Sequence, residues 1–564
     1  MKNREIKGAE IAIKCLERAG VKTIFAYPGG ASMELHQALL NSTIRTILPR
    51  HEQGGAFAAA GFARATGKTG VCMATSGPGA TNLITGIADA YMDSIPLVAI
   101  TGQVPSSLIG KTAFQETDII GMTRPIVKHS YLVLDVNDLP AIFAEAFYLA
   151  NSGRPGPVVI DIPKDVQQAM AVPDFSGTPA VRAYQADHKV DLSKIEEVRK
   201  AIKQSTSPCI YAGGGIIASG AADALKKFAE SYNIPVTTTL MGVGAFPENH
   251  KLSLKWLGMH GTVYGNNAAN EADLLITLGA RFDDRVTGPT GTFAKDAKII
   301  HVDIDISEIN KNKKADIAII ANVKDVLDEL NKKPEKKSYK EWFSRIDAWK
   351  KEFPLSYTPK KDEILPQEVV EAIYNATNGE AVIVPGVGQH QMWSAQFYKY
   401  SFPRQLLTSG GLGTMGFGLP SAMGAKVGLP EKTVINIDGD GSAQMNIQEL
   451  GTIHNEDLDV KIVILNNQHL GMVAQWEDRF YGSARGHTVL TNKHSNRPYP
   501  DFVTIAKGYG IPGREVYKKE DLAGAIQEML DSKGAFLLDI HVEYQEHVLP
   551  MIPPGASYQG ILTK

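Results

Sequence analysis

Cysteine is scarce in this chain, and long apolar runs are absent from it. Three cysteines occur among 564 residues, at Cys15, Cys72 and Cys209, and no two form a Cys-x-x-Cys pair. This distribution predicts neither a disulfide framework nor a zinc site. No stretch of about eighteen apolar residues is present, so a membrane-spanning helix is not predicted. Residues 1–5 lack a signal-peptide apolar region, so we expect a soluble protein of a reducing compartment.

The chain also lacks an excess of charge of either sign. The formal net charge is −3, from 58 Lys and Arg against 61 Asp and Glu. Neither nucleic acid nor an anionic membrane is therefore an expected partner. Hydrophobic residues make up 43% and charged residues 21%, which is the balance of an ordinary globular protein.

Helical and strand-like runs alternate along the chain in three blocks. The length exceeds what one core accommodates, and the pattern predicts three doubly wound parallel-sheet domains of the α/β class. We place an N-terminal domain at 1–175, a central domain at 190–331 and a C-terminal domain at 365–545. Residues 332–364, rich in Lys, Glu and Pro, predict an exposed connector with one short helix, and 546–564 predict a Pro- and Gly-rich tail.

The most informative stretch is 434–476. Two β-branched apolar runs flank a helical segment there, which is typical of a βαβ unit. Asp440 and Asn467 follow these two runs, and parallel strands bring their carboxyl ends to one sheet edge, so both side chains are expected together. Such oxygen ligands suit Mg²⁺ with a bound phosphate, and Gly439 and Gly441 allow the backbone to approach that phosphate closely. The alternative is an ordinary buried strand that ends in an Asp-Gly turn.

Several short motifs occur in order along the chain. Gly439-Asp440-Gly441 followed by Asn466-Asn467 is similar to the diphosphate–magnesium motif of thiamine diphosphate enzymes. Together with the motifs below, the whole chain resembles the catalytic large subunits of the acetohydroxyacid synthase (acetolactate synthase) family, of the biosynthetic, FAD-containing type. Those motifs are Tyr27-Pro28-Gly29-Gly30-Ala31, Arg50-His51-Glu52-Gln53-Gly54, Thr75-Ser76-Gly77-Pro78-Gly79-Ala80-Thr81-Asn82, Ala113-Phe114-Gln115-Glu116, Ser152-Gly153-Arg154-Pro155-Gly156-Pro157 and Gly471-Met472-Val473-Ala474-Gln475-Trp476.

The resemblance implies a reaction, three cofactors and a fold. The expected reaction is thiamine diphosphate- and Mg²⁺-dependent decarboxylation of pyruvate, with transfer of the hydroxyethyl carbanion to a second pyruvate or to 2-ketobutyrate. The products would be 2-acetolactate or 2-aceto-2-hydroxybutyrate, in the first common step of valine, leucine and isoleucine biosynthesis. FAD is expected in the central domain of the thiamine diphosphate-binding fold, without a redox step. The expected compartment is the cytoplasm, or the plastid stroma for an organelle-encoded subunit.

By the resemblance, the first and third domains bind thiamine diphosphate. Glu52 would bind N1′ of the aminopyrimidine and favour the tautomer that takes the thiazolium proton, so that the cofactor acts as its own base. Asp440, Asn467 and the carbonyl of His469 would bind the metal, and Met415 would support the bent cofactor. The other expected contacts are Gly30, Val387, Gly388, Gln389, His390, Gly413, Gly439, Gly441, Ser442, Gly471, Met472 and Val473.

Each of these residues has an ordinary alternative when it is considered alone. Glu52 is compatible with a solvated acid or a helix cap. Met415 is compatible with a core methionine, and Gln389 with His390 is compatible with a surface pair.

The FAD site is expected in the central domain. The glycines at 213–215 follow a strand and are by themselves a weak signal of phosphate binding. Further segments of the central domain, at 258–261, 279–285 and 303–305, strengthen that signal. The family usually has Gly-Asp-Val where this chain has Ala321-Asn322-Val323, although Asn322 can still accept a hydrogen bond. The expected FAD contacts are Arg154, Gly213, Gly214, Gly215, Thr239, Leu240, Gly258, Met259, His260, Gly261, Gly279, Arg281, Asp283, Asp303, Ile304, Asn322 and Val323.

Trp476 and Arg285 are the main substrate candidates. By the resemblance, the flat apolar face of Trp476 favours 2-ketobutyrate as acceptor, through a methylene worth about 1–3 kcal/mol. Arg285 would bind the acceptor carboxylate in a bidentate manner. The alternatives are a core tryptophan and a surface arginine paired with Asp283 or Asp284. Three further residues would line the substrate channel: Phe114, Gln115 and Lys164.

The family builds each site between the first domain of one subunit and the third domain of another. This implies a homodimer or tetramer, with a small regulatory subunit as a further partner. The rival enzymes are a catabolic acetolactate synthase without FAD, a glyoxylate carboligase, a 2-ketoacid decarboxylase and a flavin enzyme like pyruvate oxidase. Glyoxylate carboligase lacks the glutamate present here as Glu52. A non-catalytic protein that kept the fold is the remaining alternative, and the presence of Glu52, Asp440 and Asn467 argues against it.

Overall fold

The apolar runs of the sequence form three separate parallel β-sheets, each flanked by helices. The computed structural model describes residues 4–179, 181, 184–186, 188–491 and 498–564. The strands are short, buried and rich in Val, Ile and Leu, which is typical of parallel sheets covered by helices on their faces. The predicted fold of three doubly wound α/β domains is confirmed. In the described part of the chain, no helix has both the length and the apolar character needed to cross a membrane.

The first sheet has six parallel strands. In sheet order these are Arg45–Ile47, Thr23–Ala26, Gly70–Ala74, Leu97–Gln103, Pro157–Pro163 and His129–Leu132. The helices around it are Gly8–Arg18, Met33–Leu39, Glu52–Thr66, Pro78–Asn82, Ile84–Met92, Ile119–Thr123, Leu139–Asn151 and Lys164–Gln168, with 3-10 turns at Ser106–Leu108, Arg124–Ile126 and Val136–Asp138. A short antiparallel pair, Ile6–Lys7 with Met170–Ala171, joins the two ends of this domain.

The second sheet also has six parallel strands. In sheet order these are Ser253–Trp256, Val236–Thr238, Pro208–Ala212, Leu274–Leu278, Lys298–Asp303 and Ile317–Ile320. Its helices are Leu192–Gln204, Gly214–Ala218, Ala222–Tyr232, Val263–Asn270, Asp284–Thr287 and Val323–Leu330, with 3-10 turns at Leu240–Gly242 and Ile306–Glu308.

The third sheet has five parallel strands. In sheet order these are Val382–Pro385, Val434–Gly439, Val460–Asn466, Phe536–His541 and Gly513–Val516. Its helices are Pro366–Ala376, Gln389–Phe397, Gly418–Gly428, Asp440–Ala443, Leu450–Asn455, Gly471–Phe480, Phe502–Gly508 and Leu522–Asp531, with 3-10 turns at Gln444–Glu449, Lys519–Asp521 and Tyr558–Gly560.

Part of the predicted connector 332–364 belongs to the core of the central domain. The helix Lys340–Glu352 buries Trp342 and Ile346 in that core, and Trp342 Nε1 donates a hydrogen bond to the Pro208 carbonyl at 3.0 Å. The Lys- and Glu-rich composition describes only the outer face of this amphipathic helix, which is why the segment looks exposed in the sequence.

The N- and C-terminal domains are joined by two helices that pack unusually closely. Glycines lie at the crossing of Glu52–Thr66 with Gly418–Gly428. A Cβ on Gly61 would overlap the Ser421 carbonyl, and a Cβ on Gly424 would overlap the Ala58 carbonyl. Only glycine allows backbones to approach so closely, so these two positions fix how the domains sit on one another.

We predict that Gly424→Ala weakens this junction. The added methyl has no room beside Ala58, so the helices must separate, and overpacking of this kind costs about 1–3 kcal/mol or more. The measurement is the thermal midpoint of the purified variant.

The matched control is Gly508→Ala. This glycine also lies in a helix, but a Cβ there would meet nothing within 4 Å. We expect an unchanged or slightly raised midpoint for the control. Equal behaviour of the two variants would contradict the assigned role of Gly424.

Candidate active site

A cleft lies at the carboxyl edge of the third sheet and has about 490 Å³ of empty volume, including the solvent-open part. The strands Val434–Gly439 and Val460–Asn466 are hydrogen-bonded neighbours there, with Gly439 opposite Leu465. The loops and helix starts that follow these strands form the walls. The lining residues are Val387, Gly388, Gln389, His390, Trp393, Met415, Gly439, Asp440, Gly441, Ser442, Leu465, Asn467, His469, Leu470, Gly471, Met472, Val473 and Val542.

Asp440 is the most unusual group in the cleft. It begins the helix Asp440–Ala443, its exposed fraction is 2%, and its Oδ2 has no hydrogen-bond partner. Burial raises the pKa of this carboxyl to about 8, and the negative charge of Asp539 contributes to the rise. A buried carboxylate that is only partly hydrogen-bonded is costly unless a cation neutralises it. The site therefore fits a hard divalent cation.

Asn467 and His469 complete a set of oxygen donors beside Asp440. The His469 backbone N–H donates to Asn467 Oδ1 at 3.0 Å, which turns the loop sharply after the strand. The His469 ring is held by the Asn467 carbonyl at 2.7 Å and stacks on Tyr544 at 4.7 Å between ring centroids. His469 lines the cleft while its Nδ1 and its ring face are engaged by these contacts.

Gln389 links the front of the cleft to the C-terminal tail. Its amide donates to Gln475 Oε1 at 2.9 Å and to the Glu546 carbonyl at 3.1 Å, and its oxygen accepts from Asn467 Nδ2 at 3.4 Å. A Cβ on Gly471 would overlap Gln389 Oε1, so a larger residue where the next helix begins would displace the Gln389 side chain. Gln389 and the adjacent His390 are both buried, which excludes a surface pair.

The other residues predicted for thiamine diphosphate in this domain also reach the cleft. Met415 lines it, so the core-methionine alternative is wrong. The Ser442 hydroxyl accepts from the Gly416 N–H at 3.0 Å and thereby holds the loop that carries Met415. Gly413, the one predicted residue of this domain outside the lining, lies 4.0 Å from Val387 measured from an ideal Cβ position.

Glu52 lies elsewhere, in the N-terminal domain. It is the first residue of the helix Glu52–Thr66, and its Oε2 accepts from Asn82 Nδ2 at 3.0 Å. The helix cap is the neighbouring His51, whose Nδ1 accepts from the Gln53 N–H at 3.1 Å, so the cap alternative for Glu52 itself is wrong. Glu52, Gly30 and Thr75 each follow a strand of the first sheet, at its carboxyl edge.

The two groups of predicted residues thus form two separate half-sites within one chain. Among the described residues, the lining of the cleft begins at Val387 and includes none from the N-terminal domain. Glu52 faces Asn82 and the glycine-rich turn at Gly79 instead. One chain therefore presents a half-site with the carboxylate of Glu52 and a half-site with the cleft around Asp440, and the two face different surroundings.

The predicted FAD residues of the central domain gather at one edge of the second sheet. Gly213, Thr239, Gly279, Ile304 and Asn322 follow five of its parallel strands directly or within two residues. This is the edge where open α/β sheets bind dinucleotides. The same edge carries Gly214, Gly215, Leu240, Gly258, Met259, Gly261, Arg281, Asp283 and Val323.

Several side chains at this edge have shifted pKa values or specific hydrogen-bond and ion-pair partners. Burial raises the pKa of Asp303 to about 6, and burial lowers the pKa of His260 to about 4, so His260 is neutral at pH 7. Asn322 accepts from the Lys324 N–H at 2.9 Å and caps the helix Val323–Leu330. Arg154 bridges from the first domain to Glu308 at 2.7 Å and to Asp305 at 3.3 Å. Strand ends, glycines and an arginine together fit a dinucleotide with a diphosphate group.

The predicted substrate residues are distributed over three domains. Trp476 is half-buried on the helix Gly471–Phe480, with Phe480 edge-to-face at 5.7 Å, so it is not a core tryptophan. Arg285 is exposed, and its only ion pair in the described structure is a loose one to Asp284 at 3.8 Å. Phe114 is 88% exposed, whereas Gln115 and Lys164 are half-buried beyond strand ends of the first sheet.

Three polar residues in or near these half-sites were not predicted. Gln475 binds both the N–H and the carbonyl of Val548 and so fastens the tail behind the cleft. Asn82 holds Glu52, and the buried Glu449 accepts backbone hydrogen bonds beside it. Asn82 and Gln475 lie within motifs that carry the resemblance, which could have indicated them, but no sequence pattern marks Glu449.

Comparison with known proteins agrees with the three sheets. The family models that match are the thiamine pyrophosphate enzyme N-terminal TPP binding domain at 6–122, the central domain at 195–330 and the C-terminal TPP binding domain at 386–540. Acetolactate synthase 1, chloroplastic, of Zea mays is 55% identical over 566 residues, covering 99% of this chain and 88% of that protein.

Two further relatives carry the same name. Acetolactate synthase 2, chloroplastic, of Nicotiana tabacum is 52% identical over 568 residues, with 99% of this chain and 85% of that protein covered. Acetolactate synthase, chloroplastic, of Arabidopsis thaliana is 52% identical over 568 residues, with 99% and 84% covered. The chain belongs to the acetolactate synthase family of thiamine pyrophosphate enzymes. The predicted family and the predicted enzyme class are confirmed.

Asp440→Asn tests the cation half-site through stability. In the metal-free protein the folded state holds the Asp440 proton up to about pH 8, whereas an unperturbed carboxyl loses it at 3.8. The free energy of unfolding therefore falls as the pH rises through this window, because the unfolded chain binds fewer protons. We predict that metal-free Asp440→Asn, which keeps the shape without the charge, melts at a higher temperature than the parent at pH 8.

The same variant should lose its response to ligands. Thiamine diphosphate with Mg²⁺ is expected to raise the melting temperature of the parent and to leave Asp440→Asn unchanged, because binding stabilises only the state that binds. A variant that is less stable without metal, or equally stabilised with it, would show that Asp440 has a purely structural role.

Proposed function

We propose that this protein decarboxylates pyruvate and joins the resulting two-carbon unit to a second 2-ketoacid, with thiamine diphosphate and Mg²⁺. With pyruvate as acceptor the product is 2-acetolactate, and with 2-ketobutyrate it is 2-aceto-2-hydroxybutyrate. This is the first common step of valine, leucine and isoleucine biosynthesis. The observation that carries the proposal is the cleft lined by Asp440, Asn467 and His469, in which the buried Asp440 has one carboxyl oxygen, Oδ2, without a hydrogen-bond partner.

In the proposed complex, the third domain holds the diphosphate and its metal. Asp440, Asn467 and the His469 carbonyl bind Mg²⁺, which prefers oxygen ligands. Gln389, His390 and Ser442 face the phosphate oxygens, and the glycines at 439 and 441 allow the backbone to approach them. When bound, thiamine diphosphate supplies the carbanion that attacks the keto carbon of pyruvate.

Glu52 controls the protonation of the cofactor in this proposal. Its carboxyl, oriented by Asn82, holds a proton at N1′ of the aminopyrimidine. Met415, which lines the same cleft, would support the bound cofactor through apolar contact.

The acceptor binds at the rim of the cleft. The half-buried face of Trp476 provides apolar contact for the extra methylene of 2-ketobutyrate, and Arg285, with its weak ion pair, is free to bind the carboxylate. Phe114, Gln115 and Lys164 line the approach from the first domain. The residues at the edge of the second sheet would hold FAD, with Arg154 toward its diphosphate, and the proposed reaction needs no redox step from it.

The complete site requires a second chain. The exposed apolar residues Phe114, Leu412, Met445 and Val473 lie on loops and helices of both half-sites, and such surface apolar groups favour burial against a partner. We propose a homodimer, or a tetramer built from dimers, in which Glu52 of one chain meets Asp440 of another. A small regulatory subunit is the further proposed partner. The names of the relatives favour the plastid stroma over the cytoplasm as the location.

A flavin enzyme like pyruvate oxidase and a catabolic acetolactate synthase are the second candidates. Both share the thiamine diphosphate half-sites. The strand-end residues of the central domain favour a bound FAD, which argues against the catabolic type, and product analysis separates the oxidase.

Product analysis tests the proposed reaction. The protein, with thiamine diphosphate, Mg²⁺ and FAD, is given pyruvate and 2-ketobutyrate together. We expect more 2-aceto-2-hydroxybutyrate than 2-acetolactate, without consumption of oxygen. We also expect Glu52→Gln to lower kcat at least about a hundredfold, because general acid–base groups contribute that much.

Each of the two rival enzymes predicts a different result in this experiment. If only 2-acetolactate forms and FAD has no effect on the protein, the catabolic enzyme is correct. If oxygen uptake matches the pyruvate consumed, the oxidase is correct.

A further inference from the structure

Glu449 is a buried residue of the C-terminal domain whose carboxylate contacts the turn of the N-terminal domain that carries Glu52. It is the last residue of the 3-10 segment Gln444–Glu449, and its exposed fraction is 0%. Its hydrogen bonds with backbone groups of the N-terminal domain span almost four hundred positions of sequence, with separations of 398 and 399. A buried charge at a domain contact needs a reason, because burial without full pairing is costly.

The Glu449 carboxylate is fully engaged. The Arg50 N–H lies 3.1 Å from both of its oxygens, the His51 N–H donates to Oε1 at 3.0 Å, and the Thr452 hydroxyl donates to Oε2 at 2.7 Å. Burial raises the pKa of Glu449 above its ordinary value. The hydrogen bonds from Thr452, Arg50 and His51 offset only part of that rise. These donors suit a carboxylate that accepts hydrogen bonds and donates none.

The bonded amides belong to the two residues immediately before Glu52. The first helical turn beside them is open to the carboxylate, because a Cβ on Gly54 would overlap Glu449 Oε1. His51 then caps the helix through its own side chain. The backbone at Glu52 is therefore fixed from one side by Glu449, while the Glu52 side chain is fixed from the other side by Asn82.

We propose that Glu449 is a positioning residue that holds Glu52 in the orientation needed at N1′ of the aminopyrimidine. This inference rests on the proposed function of Glu52. It implies that the C-terminal domain of each chain contributes twice: its cleft binds one diphosphate, and its Glu449 sets the glutamate used at the other half-site of the same chain.

The test is a double-mutant cycle with Glu449→Gln and Glu52→Gln. Glutamine keeps the shape of Glu449 but places an N–H donor against the Arg50 N–H. We expect kcat to fall about ten- to a hundredfold, the range for lost hydrogen bonds to a charged group, with little change in the concentration of thiamine diphosphate that gives half-maximal activity. In the Glu52→Gln background the same change should alter kcat less than about twofold, because the two residues act as a unit.

A second readout needs no cofactor. Hydrogen–deuterium exchange of the Arg50 and His51 amides should become faster in cofactor-free Glu449→Gln. Thr452→Val removes one bond to the carboxylate and is the gentler variant if Glu449→Gln folds poorly, with a smaller effect in the same direction. Glu248→Gln is the matched control, since Glu248 is a buried carboxylate of the central domain beside Lys255, and it should change neither readout.

The outcomes separate this inference from the proposed function. If Glu52→Gln keeps its activity, the role proposed for Glu52 is wrong whatever Glu449 does. If Glu52→Gln is inactive but the effects of the two substitutions are additive and exchange at residues 50 and 51 is unchanged, Glu449 is merely structural and the inference is overturned.

Discussion

The structure depends on the close contact between the helices Glu52–Thr66 and Gly418–Gly428. With Gly61 on one helix and Gly424 on the other, the backbones approach closer than any side chain would allow. This contact joins two domains whose sheets are otherwise separate. The first helix starts at Glu52, and the second follows the loop that carries Met415, so one packing contact positions both loops that we propose to bind the cofactor.

A buried carboxylate from each of the two domains also accepts hydrogen bonds from the backbone of the other domain. Glu449 of the C-terminal domain holds the turn before Glu52. In return, Asp93 of the N-terminal domain accepts from the N–H groups of Gly410 and Gly411 at 3.1 and 2.7 Å, and the buried Arg64 neutralises it. Each domain thus positions a loop of the other. Removing one partner of a buried ion pair strongly destabilises the fold, so this arrangement makes the interface sensitive to substitution.

The sequence predicts the parts of this protein that have local patterns. The βαβ interpretation of 434–476 places Asp440 and Asn467 at neighbouring strand ends, and the structure brings both to the cleft. It predicts a short helix in the connector but not that the helix Lys340–Glu352 buries one face, because charged residues dominate its composition. It also does not predict Glu449, whose backbone partners are almost four hundred positions away. Periodicity reports which face of an element is buried, but not which distant group it meets.

In the proposed dimer, Glu52 and Asp440 of one chain serve different sites. The direct test is to co-express Glu52→Gln and Asp440→Asn chains with different affinity tags and to assay the purified mixed dimer. Each parent dimer should be nearly inactive. The mixed dimer should regain about half of the wild-type activity per dimer, because one of its two interface sites keeps both residues. A mixed dimer no more active than its parents would show that each site is completed within a single chain.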